Sequence, residues 1–203
     1  RSLHKELLSN LIPESIFPGK TIEAPFDISL GTPLSDEGMI QIVLELLSTE
    51  KELPVNKILH LVNSPHIKSG KNNYNDRKEL EIKLQKEGFL NVNIERIHNF
   101  YGPKSSSEIK KLLQVMIDFI NITDNKLPSL WAKYFSKILK DLGWMIDPSE
   151  NLSSKELQCL MVWNECLDEL ASLDMFTEEI SRHSILKELK EITKKKLFQI
   201  KTK

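Results

Sequence analysis

The chain has 203 residues, of which 40% are hydrophobic and 28% are charged, a composition typical of a globular protein with a buried core. Its 28 Lys and Arg residues are balanced by 29 Asp and Glu residues, so any contact with nucleic acid or an acidic membrane must be local. No apolar run approaches the roughly 20 residues that cross a bilayer, and no signal-like segment precedes the first helical pattern. These features predict a cytoplasmic protein without a membrane contact.

The apolar spacing predicts an all-α fold, an irregular multi-helix domain of about seven to nine helices with an extended Pro-containing N-terminal arm. Residues 1–34 are interpreted as a short helix followed by this arm, in which Pro13 to Pro33 lie extended over the helices. Residues 35–203 form the helical domain, and a bilobed division near 101–126 remains open. Neither end resembles a natural domain cap, which suggests an excised fragment of a longer protein.

The first predicted helices follow from apolar residues spaced three and four apart. Gly38 to Ser48 carries one apolar stripe, made of Ile40, Val43, Leu44 and Leu47. Pro54 is favourable in the first turn of the next helix, which ends at Ser64-Pro65. After a loop from Gly70 to Tyr74, Asn75-Asp76 is predicted to cap a charged helix that ends at Gly88. Three of its side chains are expected to face inward: Leu80, Ile82 and Leu84.

The middle of the chain is less regular in its pattern. Phe89 to Phe100 fits both a short strand and a helical turn, and we predict irregular structure there. Ser105 followed by Glu108 matches a capping box for a helix that runs to Ile120. Pro128 then begins a helix that ends at Gly143. Its apolar side consists of Trp131, Tyr134, Phe135, Ile138, Leu139 and Leu142.

The last two predicted helices are the longest helix and a basic one. Ser153 with Glu156 forms a second capping box, and the helix that it opens runs to about Leu173. Cys159 and Cys166 lie about 10.5 Å apart along this helix, beyond the roughly 7 Å that a disulfide tolerates, so we expect packed, reduced thiols. An apolar setting should also raise the pKa of Cys166 and make it inert. The final helix begins at Ser181 or Ser184, with Ile185, Leu189 and Ile192 inward.

No catalytic, cofactor-binding or metal-binding residue is predicted. Gly19-Lys20-Thr21 lacks the earlier glycine of a phosphate-binding loop, because Glu14 occupies that position. Glu81-Ile82-Lys83 and Glu108-Ile109-Lys110 match the short acid-x-Lys pattern of metal-dependent nucleases, but both lie on predicted helices, where such triplets normally form a solvated face. The histidines show no zinc-site spacing: His4, His60, His66, His98 and His183.

Two groups of residues are candidates for contact with nucleic acid. The aromatic residues Trp131, Tyr134, Phe135 and Trp144 could stack on bases, but their helical spacing favours core packing. The carboxyl-terminal helix has a positive bias that could bind DNA phosphates, although a basic helix end also complements the helix dipole. The candidate DNA-binding residues are Lys187, Lys190, Lys194, Lys195 and Lys196.

Several short sequence segments, distributed over most of the chain, carry a resemblance to a known family. They are Phe26 to Leu34, Asn63-Ser64-Pro65-His66, Trp131 to Phe135, Leu142-Gly143-Trp144, Glu156-Leu157-Gln158, Trp163, Leu167 to Asp174 and Phe198-Gln199. Together they resemble bacterial helicase-like DNA repair proteins of the AddB and RecB type. Those proteins combine an inactivated superfamily 1 helicase region with a nuclease domain of the PD-(D/E)xK kind. The resemblance places this stretch at the helical accessory insertion called 2B, although His66 to Gly70 departs from the Arg-Gly-Ile-Gly that usually follows the proline in active helicases.

The resemblance implies a non-catalytic accessory region of a DNA repair protein. It would guide DNA or dock a partner helicase or nuclease subunit, or other domains of the same chain, and it would need no cofactor. Exodeoxyribonuclease chemistry would then reside in segments outside this sequence. The alternative is a helical protein-protein interaction scaffold without nucleic-acid binding, which the near-zero net charge favours.

Overall fold

The computed structural model describes residues 31–67, 74–101, 107–144 and 153–200. Helices account for 69% of the described residues, which confirms the all-α class and the predicted number of helices. Most of the predicted amino-terminal arm lies outside the described residues, and only its end, from Gly31 onward, is described. Within these ranges, no helix has both the length and the apolar character needed to cross a membrane.

The described ranges contain eight α-helices and four short strands. The helices are α1 Gly38–Leu47, α2 Val55–Asn63, α3 Tyr74–Glu87, α4 Ile94–His98, α5 Glu108–Ile120, α6 Pro128–Asp141, α7 Ser154–Ser172 and α8 Arg182–Lys195. The strands are β1 Thr32–Pro33, β2 Glu52–Pro54, β3 Asn91–Asn93 and β4 Leu197–Phe198. Short 3₁₀ turns at Leu34–Asp36 and Leu173–Met175 precede α1 and follow α7.

The carboxyl-terminal helices pack around aromatic side chains. Helix α7 contacts both α6 and α8. Trp131 is fully buried, and its indole N–H donates a hydrogen bond of 2.9 Å to the Ile180 carbonyl just before α8. Trp144 packs edge-on against Trp163 of α7 with ring centroids 5.8 Å apart. The prediction that the aromatic residues of α6 belong to the core is therefore confirmed, and the indole hydrogen bond fixes where α8 begins.

Two small antiparallel pairs of strands join distant parts of the chain. Strands β2 and β3 pair Leu53 with Val92, so the turn before α2 is held against the segment before α4. Strands β1 and β4 pair Thr32 with Phe198. Gly31 has a φ of +65°, and a Cβ atom there would lie 2.8 Å from the Phe198 carbonyl oxygen. Only glycine therefore fits this close approach without strain.

Some local predictions are wrong. The stretch Phe89 to Phe100 is not irregular, because it contains β3 followed at once by α4, which Asn93 caps through its side chain. Ile82 is 43% exposed, whereas Leu80 and Leu84 are buried. Residues two positions apart on a helix point about 200° apart, so these three side chains could not share one face.

The predicted beginnings of two helices also need correction. Glu108 is the first residue of α5 and Ser107 precedes it, so Glu108 does not occupy the third position that a capping box requires. Ser105 itself lies outside the described residues. Tyr74 already belongs to α3, so Asn75 and Asp76 lie in its first turn and do not cap it.

The capping box of α7 is confirmed, and it gives a stability prediction. Ser153 Oγ accepts a hydrogen bond of 3.2 Å from the Glu156 N–H, and the Glu156 carboxylate accepts one of 2.9 Å from the Ser153 N–H. Replacing Ser153 by Ala should lower the free energy of unfolding by about 1 kcal/mol, because the Glu156 N–H at the helix start loses its acceptor. Urea unfolding of Ser153→Ala and of the neighbouring control Ser154→Ala measures this. Equal stability of the two variants would contradict the capping role.

Candidate nucleic-acid interface

Helix α8 presents one buried face and one charged face. Ser181 caps the helix, since its Oγ accepts a hydrogen bond of 3.3 Å from the Ser184 N–H. This settles the open choice between Ser181 and Ser184. Ile185, Leu189 and Ile192 are buried, as predicted, and the lysines of α8 are exposed. The helix therefore holds its lysines in solvent on a rigid element.

Three of the five candidate lysines lie in one row. At 3.6 residues per turn, Lys187, Lys190 and Lys194 fall within about 60° of one another around α8, together with His183. We call Lys187, Lys190 and Lys194 the lysine row. Within the described ranges, none of the three forms an ion pair. Their ammonium groups are therefore available to an anion from outside.

The other two candidate lysines have different surroundings. Lys196 follows α8, and its Nζ lies 2.9 Å from a carboxylate oxygen of Glu165 on α7. The hydrogen bond to Glu165 raises the pKa of Lys196, so this ammonium joins α8 to α7. Lys195 is exposed on the side of α8 that also carries Glu188 and Glu191. The structure thus separates the predicted set into a row of three, a lysine beside acidic residues and an ion-paired lysine.

A groove of about 240 Å³ adjoins the amino-terminal end of the lysine row. It lies between the first turns of α8 and the turn that follows α1. Its polar lining consists of Ser48, Glu50, Arg182, His183, Lys187 and Lys190. Two lysines of the row thus also line a concave surface.

Arg182 is held in place at this groove. Its Nη1 donates a hydrogen bond of 3.0 Å to the carbonyl of Thr49, a fully buried residue, and its guanidinium lies 5.1 Å from the centre of the Phe119 ring. Burial lowers the pKa of Arg182, and the nearby Glu50 carboxylate opposes that shift. A guanidinium remains protonated at neutral pH even so, so the groove contains a fixed positive charge.

Sequence reasoning missed several residues of this region. Ser48, Glu50 and Arg182 were not predicted, because the first two lie more than 130 positions before α8 and no local pattern connects them. His183 and the lysine row are separated by three or four residues, the spacing of one helix face. This spacing was visible in the sequence and could have identified the lysine row. A second exposed set, Lys133, Lys137 and Lys140 on α6, has comparable spacing and was also missed.

The residues that were rejected as chemical sites lie where the patterns indicated. Glu81-Ile82-Lys83 is within α3, and Glu108-Ile109-Lys110 begins α5. In the part of the chain that the structure describes, no three His, Cys, Asp or Glu side chains are grouped as metal ligands would be. Cys159 and Cys166 are free thiols and both are buried, which confirms that they are unpaired and packed.

Comparison with known protein families, with curated proteins and with solved structures gives no significant match. The resemblance to proteins of the AddB and RecB type therefore stays a prediction from the sequence.

The two thiols give a prediction on reactivity. Burial raises the pKa of Cys159 to about 12 and that of Cys166 to about 11, so at pH 8 roughly one Cys166 thiol in a thousand is a thiolate. We expect iodoacetamide at pH 8 to leave both cysteines of the folded protein unmodified over an hour and to alkylate both in 8 M urea, as measured by mass spectrometry. Rapid alkylation of the folded protein would contradict the buried, protonated state.

Proposed function

We propose that this chain is a non-catalytic helical accessory region of a helicase-like DNA repair protein, and that it guides DNA along α8. The observation that supports DNA contact is the lysine row, three exposed ammonium groups on one face that have no ion-pair partner in the described ranges. Lysines on a rigid helix bind the phosphate backbone without reading its sequence. Such contacts suit a protein region that guides DNA of any sequence. The repair context comes from the sequence resemblance alone.

The dimensions of the lysine row fit a short stretch of one strand. From Lys187 to Lys194 the helix axis rises about 10.5 Å at 1.5 Å per residue. Phosphates of one strand in duplex DNA follow at about 3.4 Å along the axis, so the row spans about three of them. Glu188 and Glu191 on the adjacent side of α8 limit the attraction. We therefore expect weak binding that depends strongly on salt.

The lysine row gives a test with a matched control. Replacing Lys187, Lys190 and Lys194 together by Gln should weaken binding to a 20-base-pair duplex at least tenfold at 50 mM salt. For three phosphate contacts, the slope of log K against log salt should be about −2.7 for the unaltered protein, and it should approach zero in the triple variant. Fluorescence anisotropy across a salt series measures both quantities.

The control variant replaces Lys133, Lys137 and Lys140 of α6 by Gln, which removes the same charge from another exposed helix. Its affinity should stay within about threefold of the unaltered protein, because only the long-range field changes. Equal losses in the two triple variants would show that the interface is not on α8. Absence of binding even at low salt would overturn the DNA-guiding function.

A second candidate function, a protein-interaction scaffold, is favoured by an exposed apolar surface. Met175 and Phe176, just after α7, are 80% and 83% exposed. The Asp174 carboxylate accepts a hydrogen bond of 2.8 Å from the Ser129 N–H, which holds this turn against the start of α6, where Leu130 is 45% exposed. Large apolar side chains exposed to solvent on neighbouring elements are typical of protein-protein contacts.

The scaffold function can be tested by cross-linking. A photoreactive benzoylphenylalanine at position 176, in the full-length protein in its native cell, should cross-link to one defined protein or domain. The same residue placed at position 86, an exposed lysine on the charged helix α3, is the control. A discrete product from position 176 alone, identified by mass spectrometry, would support the scaffold. The same products from both positions would argue against it.

A further inference from the structure

Arg182 is a partly buried cation without an ion pair in the described part of the chain. Its guanidinium has five N–H donors, and its described hydrogen bond goes to the neutral carbonyl of Thr49. In the described part of the chain, no carboxylate lies within ion-pair distance of it. Burial of a cation is costly, and the Glu50 carboxylate acts on this guanidinium from beyond ion-pair distance, so an anion placed at the guanidinium would offset more of that cost.

The lining of the groove adds further positive charge. Arg182, Lys187 and Lys190 supply three cations, and Glu50 supplies one carboxylate. The net charge of these four side chains is therefore +2. The excess lies on a concave surface, where low-dielectric walls strengthen the attraction for an anion.

A hydroxyl group beside the groove also lacks a partner. Ser48 lines the groove, and its Oγ is buried without a hydrogen-bond partner in the described ranges. Buried polar groups are normally paired. Thr49, the next residue, is held firmly, because its N–H donates to the Leu46 carbonyl at 3.1 Å and its Oγ1 to the Glu45 carbonyl at 3.3 Å. The wall of the groove is therefore ordered before any ligand arrives.

From this geometry we infer that the groove between α8 and the turn after α1 is a binding site for a single phosphate group, which Arg182 contacts and which the positive charges of Lys187 and Lys190 attract. A guanidinium presents its donors in the planar arrangement that suits phosphate oxygens. The phosphate would come either from a nucleic acid strand or from free phosphate in solution. Binding of a phosphate that belongs to a nucleic acid strand rests on the proposed function, because a strand that follows the lysine row would place one phosphate in the groove. Binding of free phosphate does not rest on it.

Inorganic phosphate is the direct probe of this site. Titration of the whole 203-residue chain at low ionic strength, followed by ¹H–¹⁵N NMR, should shift the backbone amides of Ser48, Thr49, Arg182 and His183 and leave those of Lys133, Lys137 and Lys140 unchanged. The double variant Lys187→Gln/Lys190→Gln should weaken phosphate binding at least fivefold. The matched control, Lys137→Gln/Lys140→Gln, has the same spacing on α6 and should change it less than twofold.

Glu50 provides a variant that should gain affinity. Glu50→Gln removes the only carboxylate among the described lining residues and should strengthen phosphate binding about two- to fivefold, the effect of one charge near a surface. A gain of binding cannot result from partial unfolding. Unchanged or weaker binding in Glu50→Gln would contradict the site, as would amide shifts spread evenly over the surface.

A second probe separates the site from the DNA-guiding function. A fluorescent oligothymidine strand should bind near the lysine row, and inorganic phosphate should displace it if the strand places a phosphate in the groove. Phosphate binding without strand binding would support the groove and overturn the DNA function. Strand binding without localised phosphate shifts would support the DNA function and overturn the groove. If neither probe binds, both proposals fail.

Discussion

The hydrogen bond from Arg182 to the Thr49 carbonyl is the contact on which the candidate site depends. It joins the first residue of α8 to the turn that follows α1 across more than 130 positions of sequence. The same guanidinium lies beside the Phe119 ring of α5, so one side chain on α8 contacts two other parts of the fold. This hydrogen bond is the polar contact by which Arg182 joins the two walls of the groove.

The position of α8 decides which lysines are available to a ligand. Its apolar face is buried, and the indole hydrogen bond from Trp131 to the Ile180 carbonyl holds the residue before its cap. These contacts fix the orientation of α8 about its axis. Lys187, Lys190 and Lys194 therefore face solvent, whereas Lys196 lies against Glu165 of α7. Lysines that look equivalent in the sequence therefore differ in environment, because in the described part of the chain a neighbouring helix supplies a carboxylate to Lys196 and not to the lysine row.

The proposed DNA contact and the apolar turn after α7 use different surfaces of the protein. The lysine row belongs to α8, and the exposed pair Met175 and Phe176 belongs to the turn that precedes it and packs at the start of α6. An accessory region that guides DNA while it contacts another domain or subunit would need two such surfaces. An apolar docking surface and a DNA contact are therefore compatible in one molecule, whereas a scaffold without nucleic-acid binding would use only the first.

Local predictions were correct where a short-range rule is sufficient. The Ser153–Glu156 capping box, the glycines after α3 and α6 with φ of +65°, and the buried residues of α8 depend on contacts within one or two turns. The prediction for Ile82 was wrong because the helical period was not applied to residues two apart. The predicted capping box with Glu108 was wrong because such a short pattern does not fix the first residue of a helix.

The sequence by itself determined the helical class, the course of most helices, the aromatic core of α6 and the buried, unpaired cysteines, because periodicity and capping act over a few residues. Only the tertiary structure decided the pairing of β1 with β4 and of β2 with β3, the ion pair of Lys196, and the groove at Arg182. Each of these depends on groups far apart in the chain. Their proximity is set by how the apolar faces of all the helices pack together, and no local pattern contains that information.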